Sequence, residues 1–478
     1  MPWSARTASM QLISLKSLRD ECRARASRAP LRQRSAGRPS DPRPGRHSGL
    51  RRLSVCLAAA LPLILLTANA GASDAAGAAP SATSRRGTAY YISARTGSDR
   101  NSGRSPQRPW RTLRRLRSVT LRANDSLSFA AGETWNTPLV ISAQGGAGAP
   151  VVIGSYGKGA PPAFEGAGTT CVELHGAYLV FRRLRVSGCR FGIRIYANDA
   201  RVTNATISNN AEGLRTEPGS SRAVVSGDVF MNNNQMIVNT PCSQDCSDDY
   251  GAVGVLVAGN GGRFSHNRIS GSYAQSFDVG HDGSAFEVYG GSNNRFDHNL
   301  SRQNEAFIEI GCACSRAPSN NNEIDYNVVT STLSFGVNGV VAHGSESFGP
   351  TYSTKVYNNS IYITSPNSEA LHCGSCNAAM MKLRNNAVLM TGDRSGYNYS
   401  GADEDYDLIS GKPIWGGRLG PHSRAANPRF TSLTNLRLRN GSPAIKHGLN
   451  LGPAQDFTGS AVNGIRDIGA YKFKRSPS

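Results

Sequence analysis

Two glutamates set the chemical question. Glu287 and Glu309 each sit at the centre of an apolar triplet, Phe286-Glu287-Val288 and Ile308-Glu309-Ile310. On a β-strand, alternation sends the flanking residues to one face and the glutamate to the other. If the triplets occupy neighbouring strands about 4.8 Å apart, the carboxyl groups approach to about 5 Å, a spacing suited to acid, base and nucleophile chemistry at a sugar carbon. Exposed strand positions favour Thr, Lys or Arg over stacked like charges, so the pairing points to function rather than to solvated glutamates neutralised by Arg295 or Arg302. The stretch SFDVGHDG (276–283) adds Asp278, His281 and Asp282. Together with the glutamates these can chelate a divalent cation such as Ca²⁺, although Asp-Gly is also an ordinary turn signal. His281 is a second candidate base, because an imidazole accepts a proton at neutral pH.

The strands that must carry these groups are visible as a repeat. A six-residue phrase, apolar-x-x-Asn-x-apolar, recurs as FSHNRI (264–269), FDHNLS (296–301, with Ser in the last place), IDYNVV (324–329), VYNNSI (356–361) and LRNNAV (383–388). Degenerate copies extend it back through VSGDVF (225–230) and VTNATI (202–207) to FRRLRV (181–186). Short β-branched segments repeating at roughly 20 to 30 residues, with no helical periodicity, specify a solenoid whose units bury their apolar faces only by stacking. Asn267, Asn299, Asn327, Asn359 and Asn386 then align at a tight bend, where Asn tolerates a left-handed backbone and hydrogen-bonds its neighbour in the next coil.

The strand after each bend supplies comparable windows. These are Ile193-Arg194-Ile195, Gly213-Leu214-Arg215 (only roughly in register), Val255-Leu256-Val257, the two glutamate triplets and Leu371-His372-Cys373. Three coils carry extra sequence at 242–251, 272–283 and 342–350, and loops on one side of a rigid solenoid build its binding groove. His343 and Glu346 lie on the last of these.

Beyond the repeat, YYIS (90–93), GSDRNSG (97–103), PWRTL (109–113), VVIGSYG (151–157) and the closing NPRF…GSPAI…DIGAY (427–471) resemble the exported right-handed parallel β-helix proteins of the pectate-lyase-like superfamily. The resemblance implies an all-β, single-stranded right-handed parallel β-helix over residues 89–473, with an N-terminal cap and an irregular C-terminal closure. It further implies a polysaccharide-active enzyme, lyase or glycoside hydrolase, with an acidic glycan as the expected substrate. A lyase of this kind needs a base for the C5 proton, often Lys or Arg. Between residues 159 and 411 the only lysines are Lys355 and Lys382, which makes Lys355 the candidate beside Glu287, Glu309, His281 and Asp282, with Asp278, Tyr289 and His343 as substrate contacts. The competing function is a non-catalytic carbohydrate-binding or envelope protein, for which Tyr250, Tyr273, Tyr289 and Phe348 are candidate sugar platforms.

The ends and the cysteines address localisation. Residues 1–50 are basic, and Arg51-Arg52 precede a short apolar run ending in Ala68-Asn69-Ala70, the anatomy of an export signal cleaved near Ala70 rather than of a stable membrane span. Residues 71–88 read as a flexible leader. About half of the formal +20 charge lies in residues 1–70, and no stripe of basic and aromatic residues suited to nucleic acid follows. Eight cysteines beyond the signal read as disulfides, with Cys171–Cys189, Cys242–Cys246 and Cys373–Cys376 as the expected pairs. Zinc bound by Cys312, Cys314, His372, Cys373 and Cys376 is the alternative.

Overall fold

The computed structural model describes residues 86–166, 168–244, 249–312, 318–345, 348–452 and 454–475. Residues 1–85, which carry the expected export signal, lie outside them, as do Cys246, Cys314 and Glu346. Each coil lays down three short strands separated by bends, as in Arg295–Asp297, Leu300–Arg302 and Ala306–Gly311. Among the described residues these strands form three parallel sheets of 12, 11 and 12 strands. The first sheet runs from Ala89–Ile92 to Asp403–Asp405, the second from Thr134–Trp135 to Leu408–Ser410 and the third from Leu121–Arg122 to Lys412–Gly416. The chain is a right-handed parallel β-helix.

Inward positions stack in columns. In the first sheet Val202, Val225, Phe264, Phe296, Ile324, Val356 and Leu383 stand in register, each with no exposed surface. Phe264 and Phe296 stack with ring centroids 5.0 Å apart, so the coil spacing itself sets the aromatic contact. Burying each such side chain contributes roughly 1.5–3 kcal/mol. The odd Ser301 of FDHNLS occupies an apolar column, and its hydroxyl is satisfied there by the Asn304 side-chain amide at 2.8 Å.

The bend between the first and second strands holds the asparagine ladder. Each side-chain amide of Asn267, Asn299, Asn327 and Asn359 donates to the carbonyl oxygen of the next asparagine side chain, always at 3.0 Å. The same oxygen also accepts from the backbone N–H of the preceding ladder residue, and the second amide hydrogen binds a strand carbonyl, such as that of Phe296 for Asn327. The left-handed backbone, however, belongs to the residue before each asparagine: His266, His298, Tyr326, Asn358 and Asn385 have φ between 52° and 58°. The bend is paid in backbone strain by the residue facing out, which leaves the buried asparagine free for its ladder bonds. His266, His298 and Tyr326 consequently stack their rings at 4.9 and 5.5 Å.

Both ends of the ladder are aspartates. Asp228 donates its N–H to Asn267 and accepts from Ala205, and burial pushes its carboxyl up to about 7. Asp407 accepts both the amide and the N–H of Asn386, and burial together with Glu404 holds its pKa well above the carboxylate range.

The C-terminal segment runs back along the outer face of the second sheet. Phe430, Leu436, Leu438, Ala444, Ile468 and Ala470 pack on Val328, Ala387, Leu389 and Leu408. Ala470 N–H donates to Ser360 Oγ at 2.9 Å, and the buried Arg466 donates to the Tyr326 hydroxyl. Disulfides join Cys171 to Cys189 and Cys373 to Cys376. The second takes Cys373 and Cys376 out of the zinc alternative, and His372 is engaged by Glu369 at 2.6 Å. No helix among the described residues is long and apolar enough to cross a membrane.

Replacing Asn327 by Ala strands two donors and one acceptor in the buried bend, and should lower unfolding free energy by about 2–4 kcal/mol in a denaturant titration. For Asp407 the sign is opposite. Its raised pKa means that stability present below the ordinary carboxyl range is lost as pH rises through the raised value. Asp407→Asn keeps the ladder oxygen without a charge to bury, so its melting temperature should match the parent at pH 4 and exceed it at pH 8.

Candidate active site

The outer face of the third sheet carries one continuous column. Glu173, Arg194, Arg215, Leu256, Glu287, Glu309, Val341 and His372 stand in register. Phe286, Val288, Ile308 and Ile310 point inward with no exposed surface, so apolar flanks drive both glutamates outward. Arg215 lies directly in line with Arg194, one residue further along than the aligned triplet Gly213-Leu214-Arg215 implied, because Leu214 is the inward partner of Ile193.

The column changes sign along its length. In the earlier coils Arg194 binds Glu217 at 2.5 Å and Arg215 binds Glu212 at 3.2 Å, all four side chains buried. In the middle coils it is acidic. Glu212, Glu217, Tyr250 and Glu287 all favour the charged Arg215, against the desolvation that opposes it.

Loops wall this acidic stretch. An antiparallel hairpin, Ala274–Ser276 with Gly280–Asp282, projects from the coil. Buried Asp249 braces it by accepting from Ser276 Oγ at 3.2 Å and Phe277 N–H at 2.7 Å, and also takes the Thr240 N–H at 2.5 Å. The cleft so enclosed measures about 440 Å³ and is lined by Asp249, Asp278, Asp282, Glu287, Glu305 and Glu309. His281, Tyr289, Phe335, Asn338 and Phe348 complete most of the wall.

The expected residues are therefore largely brought together. Glu287, Glu309, His281, Asp282, Asp278 and Tyr289 all face the cleft, and His343 reaches Glu309 through Nε2 at 2.9 Å. Lys355 is elsewhere. Its strand, Thr354–Tyr357, belongs to the first sheet, in register with Glu323, to which the ammonium lies 4.0 Å. The chain has turned a corner of the coil between the 342–350 loop and this lysine, so proximity in sequence did not carry into space. Tyr250 is buried, 6% exposed, and offers no platform. The aromatic walls are instead His281 lying flat on Phe335 at 3.6 Å, with Tyr273 beside it, and Phe348 meeting both Tyr289 and His343 at 5.8 Å.

Glu305 is the group that reading the strands missed. It precedes the strand Ala306–Gly311, its N–H donating to Ser272 O and its carbonyl accepting from Asn338 N–H, so alternation gives no direction for its side chain. Its surface is partly open to the cleft, but protein surrounds the carboxyl. Burial first, then the charges of Asp282 and Glu309, raise its pKa well above the usual range, while the 3.1 Å bond from Asn338 Nδ2 opposes the shift. Glu305 is thus shifted toward its protonated form beside Asp282 and Glu309, the direction that a division of acid and base roles needs. Among the described residues, no three His, Cys, Asp or Glu side chains converge to hold a metal ion.

No family model matches the chain. A lacto-N-biosidase from Bifidobacterium longum subsp. longum is 31% identical over 108 residues, which is 22% of this chain and 7% of that protein's length. The GH136 lacto-N-biosidase from Eubacterium ramulus covers 71% of this chain and 67% of its own, with 13% identity and a TM-score of 0.45. The pectate lyase Pel9A superposes over 82% of this chain and 98% of its own at a TM-score of 0.57 and 17% identity. With its register, columns and cleft described, the chain stands as a right-handed parallel β-helix, a fold similar to that of the pectate lyase Pel9A.

Proposed function

We propose that the chain is an exported, polysaccharide-active enzyme that hydrolyses a glycosidic bond in the cleft. The observation that carries this reading is Glu305, a carboxyl that lines the cleft with Asp282 and Glu309, accepts from Asn338 Nδ2 and has its pKa raised by burial and by those neighbouring charges. In the proposed reaction Glu305 gives its proton to the glycosidic oxygen as the bond to the anomeric carbon breaks. Glu309, held by His343, attacks that carbon or draws a proton from the water that does. Glu287, one strand away, adds negative charge where the oxocarbenium-like transition state develops positive charge. Water supplies hydroxide to one product and restores the proton of Glu305. Elimination is less well supported, since among the described residues the cleft lining includes neither Lys nor Arg and Lys355 stands on another sheet. Two disulfides fit an oxidising compartment, in keeping with residues 1–70 as extension and export signal and residues 89–473 as the helix with its cap and closure.

A screen of the purified chain against pectate, alginate, glycosaminoglycans and neutral glycans tests this by following reducing ends and unsaturated-uronate absorbance together. New reducing ends without absorbance are expected. Absorbance would mean elimination, and silence with retained glycan binding would mean a non-catalytic binding protein. Glu305→Gln should lose roughly 10²–10⁴-fold in kcat while melting no lower than the parent at pH 7, since it removes a carboxyl that burial disfavours. The alkaline limb of the pH–rate profile should follow the Glu305 proton. Asp282→Asn removes a charge that raises its pKa and should move the limb to lower pH, whereas Asn338→Leu removes the bond that lowers it and should move the limb higher.

A further inference from the structure

The tip of the hairpin is both firmly held and apolar. Its strands, Ala274–Ser276 and Gly280–Asp282, are joined by Phe277, Asp278 and Val279. The N–H of Phe277 donates to Asp249 Oδ2 at 2.7 Å and to Asn239 Oδ1 at 3.3 Å. Asn239 returns its own amide to the Gln275 carbonyl at 3.1 Å, and Ser276 Oγ bonds Asp278 at 2.7 Å and Asp249 at 3.2 Å. At the other foot His281 lies flat on Phe335 at 3.6 Å. On this braced turn Phe277 and Val279 are 52% and 69% exposed, so neither side chain contributes much to a core. Single apolar residues scattered on a surface are ordinary, but these two share one turn, and that turn is part of the site. Val279 lines the cleft together with Asp278, Asp282 and Glu309, and Phe277, two residues earlier, carries the apolar surface on past that wall. The face of an aromatic ring is electron-rich and attracts weakly polar C–H groups. A pyranose offers such a C–H face while its hydroxyls stay in water, which suits a ring that is half exposed. Because the backbone under Phe277 is already fixed, little ordering is left to oppose binding.

We infer that Phe277, with Val279, is a sugar-binding subsite at the mouth of the cleft, taking the C–H face of a pyranose in a glycan whose neighbouring units occupy the cleft. This rests on the glycan-active reading of the same site and adds that its substrate is an extended chain.

The test compares two forms of the full chain by isothermal titration calorimetry, Glu305→Gln alone and Glu305→Gln with Phe277→Ala. The probes are ladders from disaccharide to octasaccharide of cello-, xylo- and N-acetylhexosamine oligomers, oligogalacturonate and oligomannuronate. In the ladder that binds, Phe277→Ala should weaken the longest oligomers by about tenfold and leave the shortest binding oligomer unchanged. Phe277→Trp in the same background should hold or improve the affinity for the long oligomers. Because the ring is exposed and the turn is held through backbone and polar groups, the Ala variant should melt with the parent. Long-oligomer affinity that ignores Phe277 overturns the inference and leaves a glycan-active cleft standing. So does an equal loss at every length, since the ring would then shape the cleft rather than hold a further sugar unit. Self-association that Phe277→Ala abolishes, without any length-dependent loss, would assign the turn to a second copy of the chain instead. Failure of every ladder to bind would remove the functional reading, and the subsite with it.

Discussion

The hydrogen bond from one asparagine side chain to the next is the constraint on which the rest depends. It repeats at 3.0 Å from coil to coil, so the bend cannot slip by a residue without stranding a buried amide. Register at the bend becomes register in the strands, since a shift of one residue would turn every apolar side chain outward. The phenylalanine stack, the outward glutamates and the brace under the hairpin all inherit the same spacing. A site built on consecutive coils therefore has its carboxyl positions fixed by backbone geometry rather than by side-chain packing alone.

On that frame the cleft is an electrostatic device. Stacking identical charges on one sheet face is unfavourable, and the molecule handles it differently in two places. Toward the N-terminal coils it inserts arginines between the acids and buries the whole set. Around Glu287 and Glu309 it sets acids on neighbouring strands, gives one of them a histidine and, through burial and nearby charge, raises the pKa of Glu305. The first arrangement pairs its charges and is closed; the second opens on the cleft.

Much of the fold was legible in the chain, because a repeat states its own geometry. The asparagine phrase marked the coils, the insertions marked the loops, and alternation in FEV and IEI gave the direction of both glutamates. What escaped has physical causes. The αL residue was assigned to the asparagine, although a ladder side chain needs its backbone only to be buried, and the outward neighbour takes the strain. Arg215 was misaligned by one because the glycine in Gly213-Leu214 mimics the start of a window. Glu305 and Asp249 lie in irregular segments where no periodicity applies, and Lys355 was close in sequence but around a corner of the coil. Asn304-Glu305 ahead of a glutamate strand was the available hint for Glu305.

The ladder also has a grammar of length. Every step between two asparagines is equivalent, since each residue gives to the next what it receives from the one before. A coil could be duplicated or removed at any such step without changing the balance of donors and acceptors. The two ends are different: Asp228 gives Asn267 only its backbone N–H and has no side-chain amide to add, while Asp407 receives both donors of Asn386 and has no side-chain amide to pass on. Asp228 and Asp407 thus act as punctuation, and growth of the solenoid in evolution is open within the row they bound and closed at its margins. The carboxylate cleft lies over that expandable interior, so widening the groove by a whole coil is the change this architecture permits most readily.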